Sequence, residues 1–298
     1  MKLFAPSYYK DFICIADKCR HSCCIGWEIG VDDDTFKKYR SLDYGYGREI
    51  AGTVEENPYP HFKMCEDGRC PHLDDSGLCR IISALGDGYL AEICREHPRF
   101  YNILPDRAEV GLGLSCEEAA RLALLSDGYE DVREIGNIEC EGCSRGFSAL
   151  EFRRNAFGIL RDRSRPYNKR LSMLSDYAGV SPLLHTDDEW REIFKSLEYL
   201  HSDTEELFLK YSSSPIHRED KSEIFERFLG YLIYRHCSDA ECESELRASF
   251  GFCLLLERLL VSCSDSSDTE GILDTARIIS EEIEYNEDNT EELKLEFY

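Results

Sequence analysis

Three cysteines, Cys19, Cys23 and Cys24, fall within the stretch CRHSCCIGW, residues 19–27. Adjacent cysteines cannot easily bond to each other, and core packing has no use for so many thiols in one turn. Cys14 lies just upstream. CPHLDDSGLC then sets Cys70 and Cys79 on either side of a DDSG turn, which predicts a hairpin-like loop that brings the two thiols together. RIISALGDGYLAEIC runs, mostly helically, to Cys94, and Pro98 ends that element. In GLGLSCEEAARLALL, Ser115 and Glu118 have capping-box spacing. That places Cys116 in the first turn of a helix, where backbone amides and the dipole favour a thiolate.

Cys14, Cys19, Cys23, Cys24, Cys70, Cys79, Cys94 and Cys116 are therefore the candidate metal ligands. Soft thiolates hold zinc or the irons of an iron–sulfur cluster, and either site takes about four ligands. Eight thiols suffice for two sites, or for one with thiols to spare. Any one of them could instead be a small buried hydrophobe; the whole set is too dense for that. His21, His72 and His97 lie beside candidate ligands, and a solvated role is expected for them ahead of ligation. Arg95 and Arg99 flank Cys94, placed either to hydrogen-bond cluster sulfur or to pair with acids. CEGC (Cys140, Cys143) has zinc-knuckle spacing without a second C-x2-C. Cys253 reads as core, and Cys237, Cys242 and Cys263 show no site spacing.

The elements that must position these residues divide the chain. Residues 1–143 hold 11 of the 15 cysteines and many Gly, Pro, Asp and Asn turn clusters. Such loops need a source of order, and metal ligation supplies it, because the binding free energy becomes folding free energy. The remainder reads as helices. DDEWREIFKSLEYL puts Trp190, Ile193, Phe194, Leu197 and Leu200 on one face behind an Asp187 or Asp188 cap. KSEIFERFLGYLIYRHC and TEGILDTARIISEEIEYN carry similar stripes, ELRASFGFCLLLERLLVSC is apolar enough for a buried central helix, and FSALEFRRNAFGILRD (147–162) begins the helical part. The expected fold is mainly α: a loop-rich cysteine-cluster domain stapled by metal at 1–145, then an α-helical domain at 146–298.

Composition sets outer limits. Hydrophobic residues make up 42% and charged residues 32%, which fits a globular chain. A formal net charge of −24 offers no basic face to a nucleic-acid backbone. Residues 265–298, with their surplus of acids, read as a solvated last helix and tail. The start, MKLFAPSYYKDF, lacks a signal-peptide apolar run, and FGFCLLLERLLV is too short and too interrupted to span a bilayer. A soluble, cytoplasmic protein is expected, where thiols stay reduced and dense cysteine points to metal.

Three segments resemble the flagellin lysine-N-methylase family: F-x-C-x4-C-x3-C-C-x-G-W-x-I (Phe12 to Ile29), C-P-x-L-x4-L-C with its later C-R-x-x-P-R (Cys70 to Arg99), and L-x-L-S-C-x-E-A-A-R-L (Leu112 to Leu122). FLGYLIYRH (228–236) and SEEIEYNEDN (280–289) are also similar to that family's helical region. The resemblance implies methyl transfer from S-adenosylmethionine to lysine ε-amines of flagellin, and a [4Fe–4S] cluster held by the cysteine motif. The cluster candidates it implies are Cys19, Cys23, Cys24, Cys70, Cys79 and Cys94, with Cys14 and Cys116 matching the pattern as well. Glu117 stands where the family commonly has proline.

No familiar donor site is legible. VGLGLSC has Gly111 and Gly113 at the first two positions of a dinucleotide-type turn but Cys116 at the third; it reads as a strand or loop leading into a helix. Cys19 and Cys23 begin a C-x3-C-x2-C, but Gly26 stands third. Tyr8, Tyr9, Glu28 and Asp32 read as surface or packing residues and Trp27 as a packing anchor, so no catalytic or donor-binding residue is assigned. The alternative function is a non-catalytic zinc- or iron-binding cysteine-cluster protein, serving as a partner-binding or redox-sensing module.

Overall fold

The computed structural model describes residues 1–140, 147–181, 184–238, 240–265 and 268–298. The fold is mainly α with a few short strands. In chain order the first half contains β1 (Lys2–Pro6), α1 (Asp33–Arg40), α2 (Gly47–Ile50), β2 (Val54–Glu55), β3 (His61–Phe62), α3 (Arg80–Leu85) and α4 (Glu92–Glu96). Then come β4 (Arg99–Ile103), β5 (Ala108–Leu112), α5 (Glu117–Leu125) and β6 (Val132–Asn137). The rest is helical: α6 (Leu150–Leu160), α7 (Tyr167–Ala178), α8 (Asp187–Ser196), α9 (Thr204–Phe208), α10 (Ser222–His236), α11 (Glu243–Cys263), α12 (Thr269–Ile279) and α13 (Glu287–Leu295).

The chain packs as two units, a larger one of Met1–Phe12 with Arg99–Tyr298 and a smaller one of Ile13–Pro98. The 145/146 division expected from cysteine density falls in residues 141–146, outside the described residues, together with Cys143. Strand pairing draws the units differently. The N-terminal β1 lies inside a four-stranded sheet of order β4-β5-β1-β6, parallel to β5 and antiparallel to β6. That pairing ties the first residues to the helical part and leaves 13–98 as an insertion.

In the larger unit, β5 is buried at all five positions, as a central strand covered on both faces must be. Its Glu109, 0% exposed, is bidentate with Arg153 of α6 at 2.5 and 2.7 Å, so the buried charge is paired. Asn102 of β4 donates to the carbonyls of Tyr234 and Arg235, two acceptors in the last turn of α10. α10 and α11 are buried almost all round and form the centre of the core, as their apolar sequences predict. Gly111 and Gly113 serve packing. A Cβ at 111 would clash with the Phe100 ring, and one at 113 with the Tyr285 hydroxyl and ring.

Four local expectations change. α8 is capped by Thr186 in a capping box with Glu189, not by Asp187 or Asp188, because only Thr186 stands three residues before a glutamate that can answer it. The helix also stops at Ser196, so Leu200 leaves the stripe and is exposed. At α5 the residue before the first turn is Cys116, and neither it nor Ser115 makes a side-chain cap; Glu118 instead chelates Arg121 at 2.6 and 2.7 Å. Finally, the acidic end of the chain is not simply solvated. A π-helical turn at Ser280–Glu284 rotates Glu281, Glu282 and Glu284 inward, with 7%, 1% and 7% exposure. Each has partners there: Arg277 for Glu281; the Leu200 and His201 amides and Thr204 for Glu282; Tyr231 and His236 for Glu284.

Candidate metal centre

The smaller unit folds round a small core of Ile29, Val31, Phe36, Tyr39, Ile50, Phe62, Cys70 and Ile81. Asp32 caps α1 through the Thr35 amide at 2.9 Å and also accepts the Glu92 amide at 2.8 Å, tying α1 to α4. Cys94 rides on α4, which ends at Glu96 just before Pro98.

Residues 24–26 run antiparallel to 68–70. The Cys70 amide donates to the Cys24 carbonyl at 2.8 Å, Gly26 donates to the Gly68 carbonyl at 2.9 Å, and Ile25 bridges Arg69. Gly68 adopts φ +76 in the Cys65–Arg69 turn, a conformation that favours glycine. The DDSG loop closes as its sequence predicts: Leu73 bridges Cys79, Leu73 donates to the Cys70 carbonyl, and Arg80 donates to that of His72. Gly77 at φ +80 makes the turn. Cys79 then sits at the start of α3.

The result is a shared neighbourhood for four thiols. Cys70 belongs to the small core, and Cys24, Cys79 and Cys94 pack against that same core. Electrostatically they form a set. Burial, helped by the neighbouring Cys24 and Cys79, pushes Cys94 and Cys70 up to about 12. Burial raises Cys79 as well, offset in part by the Ile82 and Ile81 amides aimed at its sulfur. Cys24 goes the other way: hydrogen bonding from the Cys23 thiol brings it down to about 7 against the effect of burial. The neighbourhood thus holds one lowered thiol, Cys24, among three raised by burial and by one another.

Of the eight predicted ligands, Cys70 belongs to the small core and Cys24, Cys79 and Cys94 pack against it, with Cys23 beside Cys24. Cys14 is exposed, and Cys19 is half-buried with its sulfur donating to the His21 carbonyl at 3.2 Å. Cys116 lies in the larger unit. His72 is not solvated: it is 2% exposed, its ring nitrogens meet Tyr46 Oη at 2.5 Å and Thr53 Oγ1 at 3.0 Å, and burial lowers it to about 4. With both nitrogens engaged it is a core histidine. Arg95 pairs with Glu96, and Arg99 hydrogen-bonds Tyr9 of the larger unit. Sequence reasoning missed Cys65, which adds to the field at Cys70, and Tyr39, a buried phenol that feels Cys94, Cys79 and Cys70 while donating to the Tyr89 carbonyl. The short spacing Cys65-x4-Cys70 was the available signal for the first; α1 gave none for the second.

Among the described residues, no three Cys, His, Asp or Glu side chains are grouped closely enough to hold a single ion as they stand. A metal staple is thus not an observed feature of these loops.

No family model matches the chain, and no solved structure does. Among curated proteins, the chain is 31% identical over 120 residues to a lysine-N-methylase of Salmonella choleraesuis and, equally, to one of Salmonella typhimurium. The match covers 38% of this chain but only 30% of each of those proteins. It is also 30% identical over 120 residues to the flagellar biosynthetic protein FliU of Salmonella muenchen, of which 71% is covered. The chain belongs to the flagellin lysine-N-methylase family. Among the described residues no helix is long and apolar enough to cross a membrane.

Proposed function

We propose that this protein is a protein-lysine N-methyltransferase acting on flagellin or a closely similar surface protein, with S-adenosylmethionine as methyl donor and a [4Fe–4S] cluster held by Cys24, Cys70, Cys79 and Cys94. Kinship to lysine-N-methylases supports the reaction class, and the flagellar role in the name of the third relative supports the substrate. The observation that carries the cluster is the convergence of these four thiols, brought together from three separate stretches of chain, on one small core. The backbone does its part by aiming the His72 amide at Cys70 and the Ile81 and Ile82 amides at Cys79, which stabilises sulfur as thiolate. A bound cluster would supply order to the loops and a soft, electron-accepting centre.

The test is anaerobic purification followed by iron, sulfide and zinc analysis, then incubation with flagellin and S-adenosylmethionine read by intact mass. Iron with matching sulfide, and mass gains in multiples of one methyl group, are the expected results. Zinc without sulfide would replace the cluster by a zinc site. Absence of any methyl gain on flagellin from the same organism would leave a non-catalytic metal-binding protein.

A further inference from the structure

The larger unit contains a cavity of about 700 Å³ whose lining includes Ser172, Asp176, Ser213, His217, Glu257 and Arg258. Glu257 of α11 is 1% exposed. Its Oε1 accepts the Tyr167 hydroxyl at 3.1 Å and lies 2.9 Å from His217 Nε2. Its Oε2 takes no hydrogen bond among the described residues. A buried carboxylate with an idle oxygen, in a cavity wall, is costly unless something cationic or hydrogen-bond donating comes to it. The same geometry fixes the histidine. When Glu257 accepts from Nε2–H, Nδ1 is the ring nitrogen left with a lone pair. The Tyr167 and Phe225 rings hold the imidazole edge-on, at 5.3 and 6.0 Å between centroids. Beside it Ile216 is 88% exposed, an apolar side chain left in water next to a cavity-lining residue.

We propose, resting on the methyltransferase reading above, that this cavity receives the alkylammonium end of a substrate lysine and that His217 is the base that takes its proton. Glu257 is the positioning residue. A lysine ammonium has no lone pair to give, since its pKa is near 10.4. One N–H proton passes to His217 Nδ1, and the bonding pair stays on the amine nitrogen. The imidazolium so formed is held by the Glu257 carboxylate. The amine pair then forms the N–C bond as the C–S bond of the sulfonium donor breaks, sulfur keeping that pair, and the product is a secondary ammonium. The charged and titratable groups about His217 are Glu257 on α11, Tyr167 on α7, Asp176 at the end of α7, and Arg258, which hydrogen-bonds Tyr211. With Arg258 also in the lining, the carboxylates of the cavity outnumber its fixed cations by one.

The experiment uses the full chain, prepared anaerobically with its metal, and two readouts. The first is calorimetric binding of Nα-acetyl-lysine N-methylamide. Binding is expected to weaken at least tenfold in Glu257→Gln and to be unchanged in Cys242→Ser, an exposed position away from the cavity. Should Glu257→Gln unfold, Ser213→Leu intrudes on the cavity from a lining position outside the dyad and is expected to weaken binding at least tenfold. The second readout is methyl transfer. His217→Gln is expected to lose about 10²–10⁴-fold in kcat with little change in KM, and its rate is expected to climb tenfold per pH unit toward the lysine pKa while the wild-type rate stays flatter. Equal binding by wild type and variants, or no binding by wild type, overturns the ammonium site. A His217→Gln pH profile parallel to wild type overturns the base. Lysine-dependent binding without methyl transfer by any form refutes the methyltransferase reading, and the base with it, while upholding the ammonium site.

Discussion

Replacing Cys70 by serine changes one atom at a position that is 6% exposed and inside the small core. Two costs follow, separable by metal. Without metal, a thiol that packs as a hydrophobe gives way to a hydroxyl that must find a partner; if it finds none, the loss is about 1–3 kcal/mol. With metal, the variant also loses a ligand from a set of four. Since ligand binding is folding free energy for such loops, the loss then reaches into an increment of about 10–16 kcal/mol, the range for structural zinc. The metal-dependent part is therefore expected to exceed the metal-free part severalfold. Cys263→Ser is the control: it is 7% exposed, and its sulfur already donates to the Leu207 carbonyl at 3.1 Å, a bond that a hydroxyl can keep. The assay is urea unfolding with and without a chelator, alongside iron and zinc content per chain. Cys70→Ser is expected to lose metal and unfold at lower urea, and Cys263→Ser to match wild type in both. Equal metal content in the two variants, or a Cys70→Ser loss no larger with metal than without, refutes the assignment of Cys70 as a ligand.

Glu226 is 0% exposed and accepts from Arg170 at 2.5 Å and from Arg163 at 3.0 and 3.1 Å. Glu226→Ala strands Arg170, itself 2% exposed, and is expected to cost about 3–5 kcal/mol in denaturant unfolding, with Glu226→Gln costing less. Burial alone would raise Glu284, but Arg235, followed by the His236 hydrogen bond, brings it down to about 2. Its folded value lies below its unfolded one, so its contribution is complete above about pH 4.5 and is lost as pH falls toward 2. The size is on the order of 3 kcal/mol. Glu284→Gln is expected to flatten that acid limb, and an unchanged limb would show that other groups carry it. Gly113→Ala drives a Cβ into the Tyr285 ring and hydroxyl and is expected to lower stability by about 1–3 kcal/mol in thermal unfolding.

By itself the sequence determined what repeats along the chain and what closes locally. The stripes of α10, α11 and α12 are legible because burying one face of a helix needs apolar residues at fixed spacing, and the Cys70–Cys79 loop because a DDSG turn dictates its own geometry. The cysteine types announced soft-ligand chemistry before any fold was known. Tertiary structure alone decided which thiols share a core. Cys24 reaches Cys70 through an antiparallel pairing of 24–26 with 68–70, and Cys94 through the Asp32 tie between α1 and α4, contacts between segments some tens of residues apart that no local pattern encodes. It also decided that β1 joins the helical part, that a π-turn buries the acids at 281–284, and that Glu257 and His217 share a cavity wall. In each case the deciding energy lies in long-range burial and pairing, which depends on where distant segments pack and not on their own composition.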